Sequence, residues 1–361
     1  MKKMTASIVA IVMLAIGVVV GGALRGAQQS PPAITTGAPI PQRVYAINVA
    51  YSTQPFFQDV LGTGKKIASV APGVAFTLGG PSDADSNKQI EDVDSLIARK
   101  VNGIILFPAD PKSLAPEIDK SAAGGVPVIT LFSDVPGSKR LTFVGAPEKD
   151  SGALMAQRVL DAHPDFATRP TKILVSFNKP GETVTDARLA GIKDVIEGPK
   201  YHNTIKLVQV VNDYGNDARA AEAIGAVLSK TKDIKVIFGL NARSAIGALT
   251  ALREARNAQG RPYEAGEVVV TGWDSDEDVL NGIESGWIEA TSVLNSSLCT
   301  QIAFAILDAQ TLGYLYPETL RLRELAFPAV PDAILIPETF VNKGNVAGFR
   351  RTVPARPAAG A

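Results

Sequence analysis

Residues 103–131 read GIILFPADPKSLAPEIDKSAAGGVPVITL, and they predict a strand, a helix and a second strand. The runs at 103–106 and 126–131 are short, apolar and bounded by Gly, Pro and Asp, which is typical of strands buried on both faces. Residues 112–124 between them place apolar side chains at helical spacing. Because parallel strands need such a helical crossover, the stretch predicts an α/β fold with a parallel sheet.

The same alternation continues on both sides of this unit. Strands are predicted at 44–49, 75–78, 103–106, 126–131, 172–177, 205–211, 234–238 and 268–271. Helices are predicted at 55–69, 84–100, 112–124, 149–163, 183–196, 216–230, 242–256 and 275–285. One sheet holding roughly 300 residues would be unusually wide, so we expect two Rossmann-like lobes, each with its own parallel sheet.

Composition excludes several classes of function. The 361 residues include 36 Lys plus Arg and 36 Asp plus Glu, so no overall positive field favours nucleic acid. The single cysteine, Cys299, forms neither an internal disulfide nor a cysteine-based zinc site. The two histidines, His163 and His202, are too far apart for a paired metal motif. We expect no metal and no cofactor.

Both ends of the chain differ from the body. Lys2 and Lys3 precede a long apolar run, so residues 1–24 are interpreted as a signal peptide, cleaved after Ala23, or as a retained membrane anchor. Either reading places the body in the periplasm or another extracytoplasmic space. Residues 25–42 are a Pro/Gly-rich linker, and residues 350–361 are expected to be a disordered tail.

The loops after the predicted strands are where ligands bind in such sheets. They carry aromatic, amide, carboxylate and guanidinium groups, a set that suits a small polar ring such as a sugar. The candidate ligand-binding residues in these loops are Gln54, Phe56, Phe57, Phe107, Asp134, Arg188, Tyr214, Asn241, Trp273 and Asp274.

Each candidate also has a structural interpretation. Phe56 or Phe57 alone is suited to the core, because adjacent helical residues point to different faces. Asn241 and Asp274 are good helix N-caps, and Arg188 has acidic neighbours for a surface ion pair. The combination of several loops carrying compatible chemistry favours a binding site over these separate explanations.

Enzyme motifs fail when their spacing is tested. The run Gly62-Thr63-Gly64-Lys65-Lys66 lacks the upstream glycine and the downstream hydroxyl of a phosphate loop, and it also fails the dinucleotide pattern. No nucleophile elbow occurs, and both histidines lie in segments expected at the surface. The chain is therefore predicted not to be an enzyme.

The order of several short motifs resembles the type I periplasmic sugar-binding proteins, especially the ribose-binding branch that serves ABC transporters. The resemblance runs from Val44 to about Asn345. It rests on Gln54-Pro55-Phe56-Phe57, Lys100-Val101-Asn102-Gly103-Ile104-Ile105, Gly125-Val126-Pro127-Val128-Ile129-Thr130, Ala187-Arg188-Leu189-Ala190-Gly191, Ile237-Phe238-Gly239-Leu240-Asn241 and Gly272-Trp273-Asp274.

This resemblance implies two lobes joined by a three-stranded hinge, with crossings near Gly145, Asn295 and Pro337. Lobe 1 is expected to comprise 43–146 plus 296–337, and lobe 2 to comprise 147–295 plus 338–349. The family's sugar contacts would fall on Phe56, Phe57, Arg188, Tyr214, Asn241 and Asp274, with Asn295 replacing a usual glutamine.

The chain departs from the ribose pattern in the first lobe. Phe132-Ser133 stands where an Asp-Arg pair is usual, and Phe107 stands where an Asn is usual. Because unpaired hydroxyl groups in a closed cleft are costly, we expect a ligand more apolar, deoxygenated, larger or differently oriented than ribose. Residues 314–331 are longer than the family requires and have no assigned role.

The resemblance implies a monomeric solute-binding protein that captures a small sugar-like ligand and delivers it to the membrane permease of an ABC transporter. The alternative is a membrane-anchored receptor subunit that reports the ligand to a signalling partner. An enzyme or a transcription regulator on the same lobes is a more distant alternative, since a regulator needs a DNA-binding headpiece where this chain has an apolar segment.

Overall fold

The computed structural model describes residues 42–313 and 330–352. The predicted signal or anchor, most of the linker, residues 314–329 and the last nine residues lie outside the described part. No helix within the described ranges has both the length and the apolar character needed to cross a membrane.

The first sheet takes its strands from the first part of the chain and from one later segment. Its elements are Arg43–Asn48 (β1), Pro55–Val70 (α1), Val74–Gly79 (β2), Ser86–Ala98 (α2), Gly103–Leu106 (β3), Pro111–Ala123 (α3), Val128–Leu131 (β4), Thr142–Gly145 (β5) and, after the second sheet, Ala333–Leu335 (β11). The strand order is β11-β5-β4-β3-β1-β2, and every pair is parallel.

The second sheet follows the same plan. Its elements are Glu148–Ala162 (α4), Thr171–Phe177 (β6), Thr183–Ile196 (α5), Ile205–Asn212 (β7), Asp217–Lys230 (α6), Ile234–Gly239 (β8), Ala242–Glu254 (α7), Val269–Trp273 (β9), Glu277–Glu284 (α8), Ala290–Val293 (β10), Thr339–Asn342 (β12) and Val346–Thr352 (α10). The order is β12-β10-β9-β8-β6-β7, with only β12 antiparallel among these pairs. The remaining helix, Ser296–Thr311 (α9), packs against α1 and the first sheet.

These two sheets confirm the prediction of an α/β fold with two lobes. The chain passes from one to the other after β5, after β10, and between β11 and β12. Strand order reverses between β1 and β3 in the first sheet and between β6 and β8 in the second. Ligands bind outside the carboxyl ends of parallel strands at such reversals, so each sheet presents one half of a site.

Two glycines let α4 and α5 pack at very short range. A Cβ atom on Gly152 would lie 2.1 Å from the carbonyl oxygen of Arg188, and one on Gly191 would lie 1.9 Å from that of Lys149. Only a residue without a side chain permits this approach. The close packing holds Arg188 of α5 against the N-terminal turn of α4, beside Glu148.

Candidate functional site

A cavity of about 110 Å³ lies where the carboxyl ends of the two sheets face each other. Its lining mixes aromatic rings with charged and amide side chains, as small-molecule sites do. The lining residues are Tyr51, Gln54, Pro55, Phe56, Phe57, Phe107, Phe132, Glu148, Asn178, Glu182, Val184, Thr185, Arg188, Gly215, Asn241, Ala242, Arg243, Asp274, Asp276 and Leu294.

The loops after the strands of the first sheet and the first turn of α1 supply a continuous aromatic wall. The rings of Phe56 and Phe132 meet edge to face with centroids 5.0 Å apart, and those of Phe57 and Phe107 are 4.7 Å apart. Phe56 also meets Phe57 edge to face at 5.1 Å. Since Phe57, Phe107 and Phe132 are buried in the first-lobe core, this wall is held by packing and is preformed.

The second-sheet side supplies most of the polar groups. Asn241 precedes α7, and its side-chain oxygen accepts from the backbone N–H of Ser244 at 2.7 Å. Asn241 therefore caps the helix and lines the cavity at once. Glu182 stands at the N-terminus of α5, where its carboxylate accepts from Thr185 Oγ1 at 2.9 Å.

Phe132 and Asp274 enter the cavity through the same unusual backbone geometry. Each directly follows the fourth strand of its sheet, and their φ angles are 62° and 73°. Side chains rarely adopt this left-handed region. Backbone bonds hold both turns in place, since Phe132 N–H donates to Val144 at 2.9 Å and Asp274 N–H donates to Ser292 at 2.9 Å.

A buried ion cluster forms the floor of the cavity around Arg188. Its Nε donates to Glu148 Oε2 at 2.6 Å, and its Nη1 donates to the carbonyl oxygen of Leu240 at 2.8 Å. The guanidinium carbon also lies 4.8 Å from the centre of the Trp273 ring. These contacts fix the orientation of Arg188, so it is a rigid group and not a mobile surface side chain.

Glu338 extends this cluster to the hinge. It lies between β11 and β12, on the third crossing, and its Oε1 is 3.5 Å from Arg188 Nη2. Its other oxygen accepts from Trp273 Nε1 at 3.2 Å, from Ser292 Oγ at 2.7 Å and from Ser151 Oγ. The Glu338 carboxylate on the third crossing thus contacts Ser151, which follows the first crossing, and Ser292, which precedes the second. Through Arg188 it also reaches the cavity.

Burial changes the acidity of several of these groups. Burial, with a further contribution from Glu338, raises the pKa of Glu148 to about 8 although Arg188 opposes the shift. Burial also raises the pKa of Glu182, and it raises that of Tyr51 to about 12. In the case of Glu148, two carboxylates share one guanidinium in a dry environment, which favours a bound proton.

Two hydrogen bonds join the lobes beside the cavity. Asn178 Nδ2 donates to Tyr51 Oη at 3.1 Å, and the hydroxyl groups of Ser133 and Thr183 are 2.8 Å apart. Tyr51 and Ser133 follow strands of the first sheet, whereas Asn178 and Thr183 follow β6 of the second. Both bonds require the two lobes to be close together, so this conformation is a closed one.

Seven of the residues predicted from the sequence line this cavity: Gln54, Phe56, Phe57, Phe107, Arg188, Asn241 and Asp274. Phe56 and Asp274, from opposite lobes, therefore share one cavity. The structural explanations also hold in part, because Phe57 belongs to the core and Asn241 caps α7. Their ligand contacts stay a prediction.

The other four predicted residues lie outside the lining. Asp134 turns to Arg140, whose Nη2 donates to it at 2.8 Å. Tyr214 is 53% exposed and its ring lies under Arg219. Asn295 caps α9 by accepting from the N–H of Leu298 at 2.9 Å.

Trp273 is the fourth and is completely buried beneath Arg188. It is the last residue of β9 and its ring packs in the core of the second lobe, whereas Asp274, in the left-handed turn that follows, lines the cavity. Trp273 acts on the site through Arg188 and Glu338.

Several lining residues were missed in the sequence. Asn178 directly follows the predicted strand that ends at Phe177, so the strand-end rule could have found it. Glu148 follows β5, a four-residue strand that was not predicted. Arg243 and Asp276 face each other as an ion pair, which no local pattern reveals. Within residues 42–313 and 330–352, no cluster of acidic, His or Cys side chains is arranged to hold a metal.

Comparison with known proteins identifies the family. The model of the periplasmic binding protein domain matches residues 44–314. The ribose import binding protein of Bacillus subtilis is 25% identical over 227 residues, which cover 62% of this chain and 68% of that protein. The D-ribose/D-allose-binding protein of Pseudomonas aeruginosa is 26% identical over 218 residues, covering 58% of this chain and 63% of that protein. The second alignment thus spans less than two thirds of the relative.

Solved structures agree on the fold. A solute-binding protein of Agrobacterium vitis bound with α-D-tagatopyranose superposes with a TM-score of 0.73 at 21% identity, covering 87% of this chain and all of that one. A Bacillus halodurans protein with bound myo-inositol has a TM-score of 0.73 at 20% identity and covers 88% of this chain. These relatives are binding proteins of transport systems and not enzymes. The chain therefore belongs to the periplasmic binding protein domain family and has the two-lobed fold of its type I sugar-binding members.

Proposed function

We propose that the protein is an extracytoplasmic solute-binding protein that captures one small, sugar-like molecule between its lobes and delivers it to an ABC transporter. The observation that carries this proposal is the cavity between the carboxyl ends of the two sheets, lined by an aromatic wall on one side and polar groups on the other. The family and the ligands named for its relatives support the same function.

Closure is the proposed mechanism. The ligand would stack on Phe56 and Phe57 while Arg188, Asn241 and Asp274 bind its polar groups. A ligand that contacts both lobes only when they are shut has a higher affinity for the closed state and shifts the population towards it. The bonds from Tyr51 to Asn178 and from Ser133 to Thr183 add to the stability of that closed state.

The proposal is tested by titration calorimetry with ribose, arabinose, xylitol and myo-inositol. We expect saturable one-to-one binding of at least one compound and a loss of affinity in Asp274→Ala. Asp278→Ala is the matched control, because Asp278 is an exposed carboxylate four residues further along. Equal affinities for the two variants would show that Asp274 does not contact the ligand. If none of these compounds binds, the proposal of a sugar-like ligand is contradicted.

The proposed function leaves two cases for the partner of the protein and for its attachment to the membrane. A monomer that shuttles between solute and permease fits a cleaved signal, whereas a retained anchor at residues 1–24 also suits a receptor that reports to a signalling partner. Expression of the full chain and mass spectrometry of the membrane fraction distinguish these cases. An intact N-terminus in the membrane would exclude free shuttling, and light scattering would show whether the released protein is monomeric.

A further inference from the structure

The aromatic rings and the charged side chains of the cavity come from different lobes. All five of its aromatic rings come from the first lobe, from loops that follow strands of the first sheet or from the first turn of α1: Tyr51, Phe56, Phe57, Phe107 and Phe132. All of its charged side chains lie on the second-sheet side, on α4, α5 and α7 and in the loops around them. A ligand in this cavity therefore has one face against aromatic rings and the other against ionised groups.

The charged wall has an excess of carboxylates. Its carboxylates are Glu148, Glu182, Asp274 and Asp276, and its guanidiniums are Arg188 and Arg243, so the fully ionised wall carries a formal charge of −2. Even with the two buried acids Glu148 and Glu182 protonated, Asp274, Asp276 and Glu338, which lies behind Arg188, give three carboxylates against two guanidiniums.

Both guanidiniums also have carboxylates of their own. Arg188 donates to Glu148 at 2.6 Å, with Glu338 behind it, and Arg243 donates to Asp276. Lys179 acts on Glu182 electrostatically but does not line the cavity. The potential inside is therefore negative, and an anionic ligand would be repelled.

Resting on the proposed function, we propose that the ligand carries a positive charge: an ammonium group, from a primary amine to a quaternary one, on a small polar scaffold. Aromatic faces attract a cation through their quadrupole, and carboxylates opposite them supply the balancing charge. A neutral polyol gains less, because hydroxyl groups turned towards Phe56, Phe57, Phe107 and Phe132 find no hydrogen-bond partner there.

A small set of related compounds tests the effect of charge. Glucosamine carries an ammonium group, N-acetylglucosamine carries the same nitrogen without charge, and glucose carries a hydroxyl group; choline is a cation without a sugar ring. We expect the better of the two cations to bind at least tenfold more tightly than the neutral compounds in calorimetry and to weaken as salt is added. Asp274→Asn should reduce that preference, whereas Asp278→Asn should not.

Each outcome separates the two proposals. Tighter binding of a neutral sugar would overturn the charge inference and leave the sugar-like function intact. Binding of choline with no sugar bound would support the charge inference and contradict the sugar-like function. If no compound raises the melting temperature or releases heat at millimolar concentration, both proposals fail. Melting curves of each variant show that a lost preference does not reflect unfolding.

Discussion

Phe132 and Asp274 occupy the same position in the two lobes and share the same left-handed backbone. Each is the first residue after the fourth strand of its sheet, and each donates its N–H to the neighbouring fifth strand at 2.9 Å. One turn presents a ring to the cavity and the other presents a carboxylate. The two lobes thus use one backbone device to place opposite chemistries across the cavity.

Asp274→Asn should separate binding from folding. Asn tolerates the left-handed conformation at least as well as Asp, so the melting temperature should stay close to that of the wild type. The loss of a charged hydrogen-bond acceptor should weaken ligand binding by about 1–3 kcal/mol. Calorimetry and thermal melting measure the two effects. Unchanged affinity, or a loss matched by Asp278→Asn, would argue that Asp274 does not contact the ligand.

Gly191→Ala should destabilise the second lobe. The new methyl carbon would lie 1.9 Å from the Lys149 carbonyl oxygen, so α4 and α5 must move apart at a cost of about 1–3 kcal/mol or more. Urea denaturation measures this loss. Gly225→Ala is the control, because nothing lies within 4 Å of that site in α6 and the better helix former should add up to about 1 kcal/mol. Similar effects at both glycines would contradict the close helix packing.

Glu148 should make stability depend on pH. Its pKa rises from 4.5 to about 8 in the folded protein, first because of burial. The folded state then holds a proton that the unfolded state has released, so this contribution to the free energy of unfolding declines as pH rises through that range. Glu148→Gln cannot ionise and should lose this part of the pH profile. Urea denaturation across this pH range measures the free energy of unfolding of both proteins. Parallel pH profiles for the wild type and Glu148→Gln would contradict this role of Glu148. The control is Glu91→Gln, at an exposed site.

Tyr51→Phe should weaken ligand binding without weakening the fold. The variant removes the hydroxyl group that accepts from Asn178 across the lobes at 3.1 Å, a bond worth about 0.5–1.5 kcal/mol. Because the open state lacks this bond, the loss falls on closure and hence on affinity. Calorimetry should show a few-fold weaker binding and denaturation little change. A large loss of stability with unaltered affinity would mean that the bond serves folding alone.

Much of the fold could be predicted because the buried strands are continuous apolar runs with clear breaks. Gly103–Leu106 was predicted with the bounds that the structure shows. The strands Thr142–Gly145 and Ala290–Val293 were missed because each has only four residues and mixes polar with apolar side chains. Ala333–Leu335 is largely exposed, so its pairing with β5 and not its composition makes it a strand.

The site was less predictable than the fold, because side-chain direction depends on details that spacing does not record. Strand-end reasoning led to Phe56, Asn241 and Asp274, which line the cavity. Trp273 and Tyr214 are neighbours of lining residues, but one faces the core and the other faces solvent. The partners of Arg188 come from helices and crossings far away in the chain, so only the folded structure brings them together.

The most direct test of the central claim is a crystal structure of the protein with the tightest ligand that calorimetry identifies. We predict electron density for that ligand between the Phe56 ring and the Asp274 carboxylate, with Tyr51 still bonded to Asn178. Density for the ligand at another place on the molecule, with this cavity holding only water, would contradict it.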